Sequence, residues 1–251
     1  MSRLRRIAAR LLARVGREPD AWRHLDANVL EVRSLAHLKL ALGWSRDPLL
    51  EGEQLHAFLG LGDLNDRRLR DAEVIGGACA NAARKIALEI GTAHGFTTAL
   101  MAENAPHATV YTVNIPPDEI ASGGVYTTFA PAHAEIGKVW RERKLANVVQ
   151  ILANTATWQP DFGPIDVALI DGCHDREFVI GDTRKVLARC REGSLILWHD
   201  FHPTLRRVHP WIASVCAGVE QLYRDGLLQG PILHLQDSWV GLYRVPSGAP
   251  R

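Results

Sequence analysis

At 251 residues, 47% of them hydrophobic and 23% charged, the chain is long enough to bury the core of one α/β domain with an appendage. The 29 Lys and Arg against 28 Asp and Glu leave a net charge of +1, so no global field draws in nucleic acid. No apolar stretch approaches the roughly 20 residues that span a bilayer, and the scattered Cys79, Cys173, Cys190 and Cys216 form no CxxC pair and read as free thiols of a reducing cytoplasm.

In the first 20 residues, Leu4, Ile7, Leu11, Leu12 and Val15 recur at helical spacing, mostly separated by Arg3, Arg6, Arg10, Arg14 and Arg17. This segment lacks the unbroken apolar core of a secretory signal. It reads as a helix packed on its own domain with a solvated arginine face; the alternative is a basic amphipathic helix resting on an anionic membrane. Residues 1–70 as a whole read as helical, with apolar clusters at 29–42 and 49–61 broken by Gly43, Pro48, Gly60 and Gly62. They carry no chemical motif, so we expect a helical cap or oligomerisation element there and a second domain over 71–251. A helix is predicted from about 64 to 83, with Asp63 or Asn65 as its N-cap.

From Lys85 onward strand and helix patterns alternate. Strands are predicted over 85–90, 109–114, 147–152, 165–170 and 194–199, with helices over about 96–104, 131–143, 176–190 and 204–226. That alternation implies right-handed βαβ units and a mostly parallel, Rossmann-like doubly wound α/β sheet. The final PILHLQDSWVGLYRV departs from it, reading as an antiparallel hairpin around a tight turn at 236–238.

Several strands are apolar runs that stop abruptly in acidic residues, glycine or histidine, as strands buried on both faces do. Ligands of open α/β sheets sit beyond the carboxyl ends of the strands, where these tips fall. Residues 89–95 read EIGTAHG: an acid at a strand end, then Gly91 and Gly95 flanking a turn into a helix. The dinucleotide fingerprint GxGxxG requires glycine where this chain has Ala93, so pyrophosphate binding fits poorly. No GxSxG elbow marks an α/β-hydrolase, and no His–Asp relay is evident for Cys173 as a nucleophile. Weaker signals are His94 in the loop, read equally as a solvated histidine or a contact to a ligand carboxylate, His202 and His209 near prolines as entrance residues, and Trp140, Trp158 and Trp211 as core or interface residues.

On Glu89–Gly91–Gly95, the IDGxH strand end at 170–174 and the HD strand end at 199–200, residues 70–245 resemble the class I S-adenosylmethionine-dependent methyltransferases, small-molecule O-methyltransferases in particular. The resemblance implies that Glu89, Gly91, Thr92 and Gly95 form the loop against the methionine part of the cofactor. It also points to the ends of the next two strands, where the family usually carries acids near the ribose and adenine. Here Asn114 and Asn154 stand in those places. A hydrogen bond to a charged group contributes about 1.5–3 kcal/mol and a neutral one about 0.5–1.5 kcal/mol, so the two exchanges could weaken binding by about 2 kcal/mol.

If the strands ending at Asp171 and at His199–Asp200 are neighbours, two carboxylates and an imidazole meet at one rim, a set able to hold a divalent cation. The resemblance likewise implies Asp171, His199 and Asp200 as metal ligands. A histidine in the set makes Mn, Fe or Zn more plausible relative to Mg alone. His174, three residues past Asp171, suits a general base because its unperturbed pKa lies near 6.5; the alternative is a cap for the following helix. The expected activity is O-methylation of a small hydroxylated substrate, a sugar or secondary metabolite, by a cytoplasmic enzyme that uses S-adenosylmethionine, Asp171 and His174. Self-association would run through the N-terminal helices. Two alternatives stay open: a methyltransferase-like scaffold without methyl transfer, and a metal-dependent hydroxylase on the same fold, since the resembling group includes cephalosporin hydroxylase-like proteins.

Overall fold

The computed structural model describes residues 21–50, 65–127 and 131–248, with the side chains of 65–67 left aside. The N-terminal amphipathic segment and most of the 49–61 cluster fall outside the described residues. Strands in chain order are β1 (Val29–Val32), β2 (Ile86–Ile90), β3 (Thr109–Asn114), β4 (Val148–Leu152), β5 (Ile165–Ile170), β6 (Cys190–Trp198), β7 (Ile232–Leu235) and β8 (Gly241–Arg244). The helices are α1 (Arg23–Asn28), α2 (Leu35–Leu42), α3 (Asn65–Ala82), α4 (Phe96–Asn104), α5 (Lys138–Glu142), α6 (Arg176–Leu187) and α7 (Pro210–Arg224).

The strands form one sheet in the order β1-β7-β8-β6-β5-β2-β3-β4, and only β8 runs against the rest. From β2 the chain proceeds outward through β3 to β4, then returns to β5 on the other side of β2. The order therefore reverses between β2 and β5, and a crevice is expected at their carboxyl ends. All six residues of β5 are buried, as a central strand requires. The exception in type is Asp166, whose Oδ2 accepts the backbone N–H groups of Arg84, Lys85 and Ile86 while Oδ1 pairs with Arg191 at 2.5 Å. That carboxylate fixes the start of β2 against β5.

The sheet is covered on both faces. Leu88, Ile90 and Trp198 pack with Val179 of α6, Val219 of α7 and Leu25 of α1. On the opposite face Ala87, Leu169 and Leu197 pack with Leu38 of α2, Val74 and Ala78 of α3, and Met101 of α4. The two-sided burial accounts for the strands' continuous apolar runs.

Three segments differ from the sequence expectation. Residues 29–32, expected within a helix, form strand β1, which pairs in parallel with β7 and places Glu31 opposite His234. Short VLEV carries no turn signal, so its state is set by the open edge of β7. The helix expected over 131–143 divides into a 3-10 turn, His133–Glu135, and α5, because the chain turns at Ile136 to bury that side chain. The helix expected over 204–226 begins at Pro210 instead, after a 3-10 turn at Leu205–Arg207. Proline at the first helical position is preorganised for that start, and it disfavours helical backbone in the residue before it. No described helix is long and apolar enough to cross a membrane.

Candidate active site

A cleft of about 220 Å³ opens at the crevice between β2 and β5, lined among others by Gly91, Ala93, Asn114, Asn154, Asp171 and His174. A larger cleft of about 470 Å³ lies at the other end of the sheet, against Asp166 and Arg191, and contains none of the candidate catalytic, cofactor or metal residues.

The glycine turn is shaped by its neighbours. Gly91 has φ +110°, and a Cβ there would fall 2.0 Å from the carbonyl oxygen of Asp171. Glycine is needed because the β2 and β5 tips touch, which sets the backbone of Asp171 directly against the turn. The backbone N–H groups of Gly91 and Thr92 both point to the carbonyl of Val113. Asn114 accepts the N–H of Ala93 at Oδ1 (3.0 Å) and donates from Nδ2 to the carbonyl of Ile115 (2.8 Å). One lone pair and one N–H of its amide remain for a ligand. Asn154 accepts the N–H of Ala156 (3.0 Å) and donates to Ser122 Oγ (3.0 Å).

Glu89, Thr92 and Gly95 stand behind this wall. Glu89 is fully buried on the α4 side of β2, and its Oε2 accepts from the hydroxyls of Thr98 and Thr112. Thr92 Oγ1 joins the same network through Thr112 (2.7 Å) and Gln150 (2.9 Å). Burial lifts the Glu89 carboxyl to about 8, partly offset by the hydrogen bonds from Thr112 and Thr98. Its Oε1 is buried without a hydrogen-bond partner. Gly95 backs onto Trp140 and Gly137.

Across the cleft, Asp171 follows directly on β5, and His199 and Asp200 follow directly on β6. Asp200 adopts φ +52°, a left-handed turn that an acid tolerates better than most residues. His174 Nε2 lies 3.1 Å from Asp200 Oδ2 and 3.7 Å from Asp171 Oδ1. Its Nδ1 faces the carbonyl of Tyr126 at 3.2 Å, and since a carbonyl only accepts, Nδ1 carries a hydrogen. In the neutral ring Nε2 would then turn a lone pair toward two carboxylates, and it has no aligned hydrogen bond. Burial disfavours the charged ring, but Asp171 and Asp200 outweigh it and lift His174 to about 9.

Among the described residues, Asp171, His174 and Asp200 are the trio whose donor atoms all lie within 4.8 Å of one another, as one cation requires. The sequence reading placed His199 in that set. The structure instead boxes His199 among three acids: Nδ1 is 3.1 Å from Asp171 Oδ1 and 3.6 Å from Asp200 Oδ2, and Nε2 is 3.5 Å from Asp71 Oδ2. Burial works against its protonation, yet these carboxylates, Asp171 foremost, raise it well above the ordinary histidine value. Burial would raise Asp171 and Asp200 in turn, but the two imidazoles hold both below the usual carboxylate range. Asp71 was missed because it lies inside helix α3, about 130 residues before His199, with no local motif around it. Its other oxygen accepts the N–H of Trp239 at 2.6 Å, tying α3 to the loop before β8.

Residues 88–201 match the family model of a methyltransferase domain, from within β2 through the HD strand end. With the reversal at β2 and β5 and the antiparallel β8, that match decides the fold. The chain has a class I methyltransferase fold. Among solved structures, the O-methyltransferase TomG from Streptomyces achromogenes, involved in tomaymycin synthesis and in complex with SAM, is 16% identical over 77% of this chain and 87% of its own, with a TM-score of 0.50. Cofactor-bound Rv0187 from MTB is 20% identical over 94% and 93%, with a TM-score of 0.46. The N-methyltransferase NodS from Bradyrhizobium japonicum WM9 is 14% identical over 74% and 100%, with a TM-score of 0.47. No curated protein matches the chain. The β1–α2 segment lies ahead of the matched methyltransferase region but is built into the same sheet.

Proposed function

We propose that this chain is an S-adenosylmethionine-dependent O-methyltransferase of a small hydroxylated molecule, a sugar or secondary metabolite, assisted by a divalent cation. The observation that carries the reading is one cleft with two unlike walls. The turn at 91–93 with Asn114 and Asn154 forms one, and Asp171 and His174 form the other, with Asp200 3.1 Å from the His174 ring. Bound there, S-adenosylmethionine supplies a sulfonium methyl open to in-line attack.

The residues present suit that cofactor. Asn114 and Asn154 both line the cleft and offer amides to hydroxyl and base edges, and Asn114 keeps one lone pair and one N–H for that purpose. Asp171 and Asp200 would hold a divalent cation through their carboxylates, hard donors suited to Mg or Mn, which leaves the neighbouring His174 Nε2 free to take the substrate's proton. Such a cation supplies Lewis acidity toward a substrate hydroxyl.

His174 is assigned as the base, with Nε2 as the accepting atom because Nδ1–H is engaged by Tyr126. The proton held on the ring by Asp171 and Asp200 leaves once their charge is neutralised, since that charge is what raises the ring's basicity. His199, held by Asp71, keeps Asp171 oriented. The largest contribution is positioning of hydroxyl against methyl. The cysteines, all unbridged, fit a cytoplasmic location.

Calorimetry with S-adenosylhomocysteine tests the reading. Micromolar binding that strengthens with Mn²⁺ is expected, and no heat at millimolar ligand would favour a scaffold that no longer transfers methyl groups.

A further inference from the structure

We infer that Asp175, which does not line the cleft, is a positioning residue that buckles residues 122–127 across it and so holds the cofactor wall and the His174 ring together. This rests on reading the cleft as a cofactor site. Asp175 stands at the N-cap position of α6 with extended backbone, where a carboxylate ordinarily accepts a helix N–H, yet it makes no such bond. Its oxygens turn away from the helix. Oδ2 accepts the N–H of Val125 at 2.8 Å and Oδ1 accepts the N–H of Tyr126 at 3.0 Å.

Two consecutive residues thus grip Tyr126 at both its backbone N–H and its carbonyl. His174 donates to the carbonyl of Tyr126 while Asp175 takes its N–H. The buckled segment also closes the cleft, because Gly123 and Thr127 line it and the Thr127 hydroxyl donates to the carbonyl of Gly123. Asn154, on the cofactor side, donates to Ser122 at the segment's start.

Apolar burial contributes little here. Val125 is 83% exposed, so hydrogen bonds hold the segment. Gly124 permits the arrangement: its φ is +93°, and a Cβ there would lie 2.5 Å from Asp175 Oδ2. A side chain at 124 would push the carboxylate off its two donors. Because a cleft preorganised by such a buckle binds with less ordering cost, releasing it should weaken cofactor binding while the buried core is untouched.

The test uses the full chain, with S-adenosylhomocysteine as the probe in calorimetry and thermal unfolding run alongside. Asp175→Ala should bind about tenfold more weakly with little change in Tm, by loss of preorganisation. Asp175→Asn, which keeps one of the two acceptors, should fall between, and Arg176→Ala, whose guanidinium pairs with Glu177 and Gln221 away from the cleft, should match wild type. If Asp175→Ala does not fold, Gly124→Ala displaces the same contact with the acid intact and should show the same loss. Equal affinity in wild type and both buckle variants overturns this inference alone. Wild-type protein that binds no probe overturns the cofactor reading and this inference with it.

Discussion

Replacing Glu89 with Gln should flatten a pH dependence of stability that the wild type carries. The carboxyl is fully buried, and burial moves it from 4.5 to about 8. A group whose folded value is raised stabilises fully below its unfolded value and loses that contribution as pH rises through the folded value. The window therefore runs from about pH 4.5 to pH 8, with wild type less stable at the alkaline end. At 1.36 kcal/mol per tenfold change in proton affinity, this one side chain costs about 4 kcal/mol between pH 5 and pH 9. That is a large share of a typical net stability of about 5–15 kcal/mol. Gln keeps an acceptor for Thr98 and Thr112 and has no charge to desolvate, so its own cost is constant with pH. Urea unfolding of both proteins at pH 5 and pH 9, with chelator and without cofactor, isolates the effect as a difference of slopes. His174 and His199 titrate in the same direction, but they are common to both proteins and cancel. Parallel curves for the two proteins would refute the desolvated, unpaired carboxyl.

Gly91→Ala should destabilise by at least about 3 kcal/mol in the same assay, since it adds a clash with the Asp171 carbonyl at a backbone angle that side chains avoid; a loss under 1 kcal/mol, again by the scale of ordinary substitutions, would show that the β2 and β5 tips are not in contact. Asp200→Asn preserves the left-handed turn, which asparagine tolerates, and removes one charge, so Mn²⁺ affinity read by electron paramagnetic resonance should drop about 10–100-fold. Unchanged affinity would place the cation elsewhere. Asp171→Ala and His174→Ala should each abolish release of S-adenosylhomocysteine with far-ultraviolet circular dichroism retained, and near-wild-type release in both would remove the assigned roles. A chain beginning at residue 71 should fail to unfold cooperatively, because it lacks fully buried Leu25 and Leu38 and leaves β7 without its partner β1. A sharp unfolding transition for that shorter chain would show that residues 1–70 are a separable cap.

The sequence by itself determined the central strands and the tips where chemistry collects. Apolar runs buried on both faces need no tertiary information to be seen, and β3 and β5 fall on their predicted bounds of 109–114 and 165–170. Asp171, His174, His199 and Asp200 were legible for the same reason, as polar residues ending apolar strands. Only the tertiary structure decided how they are shared out. Among the described residues His174 forms the compact trio with Asp171 and Asp200, while His199 also meets Asp71 of helix α3, a pairing that no local spacing encodes. The same limit hid β1, whose backbone partners lie about 200 residues away in β7. It also hid the contacts of Asp175, whose carboxylate accepts two N–H groups some 50 residues earlier. Local pattern fixes which face of an element is buried; which neighbour meets it depends on how the whole sheet is ordered.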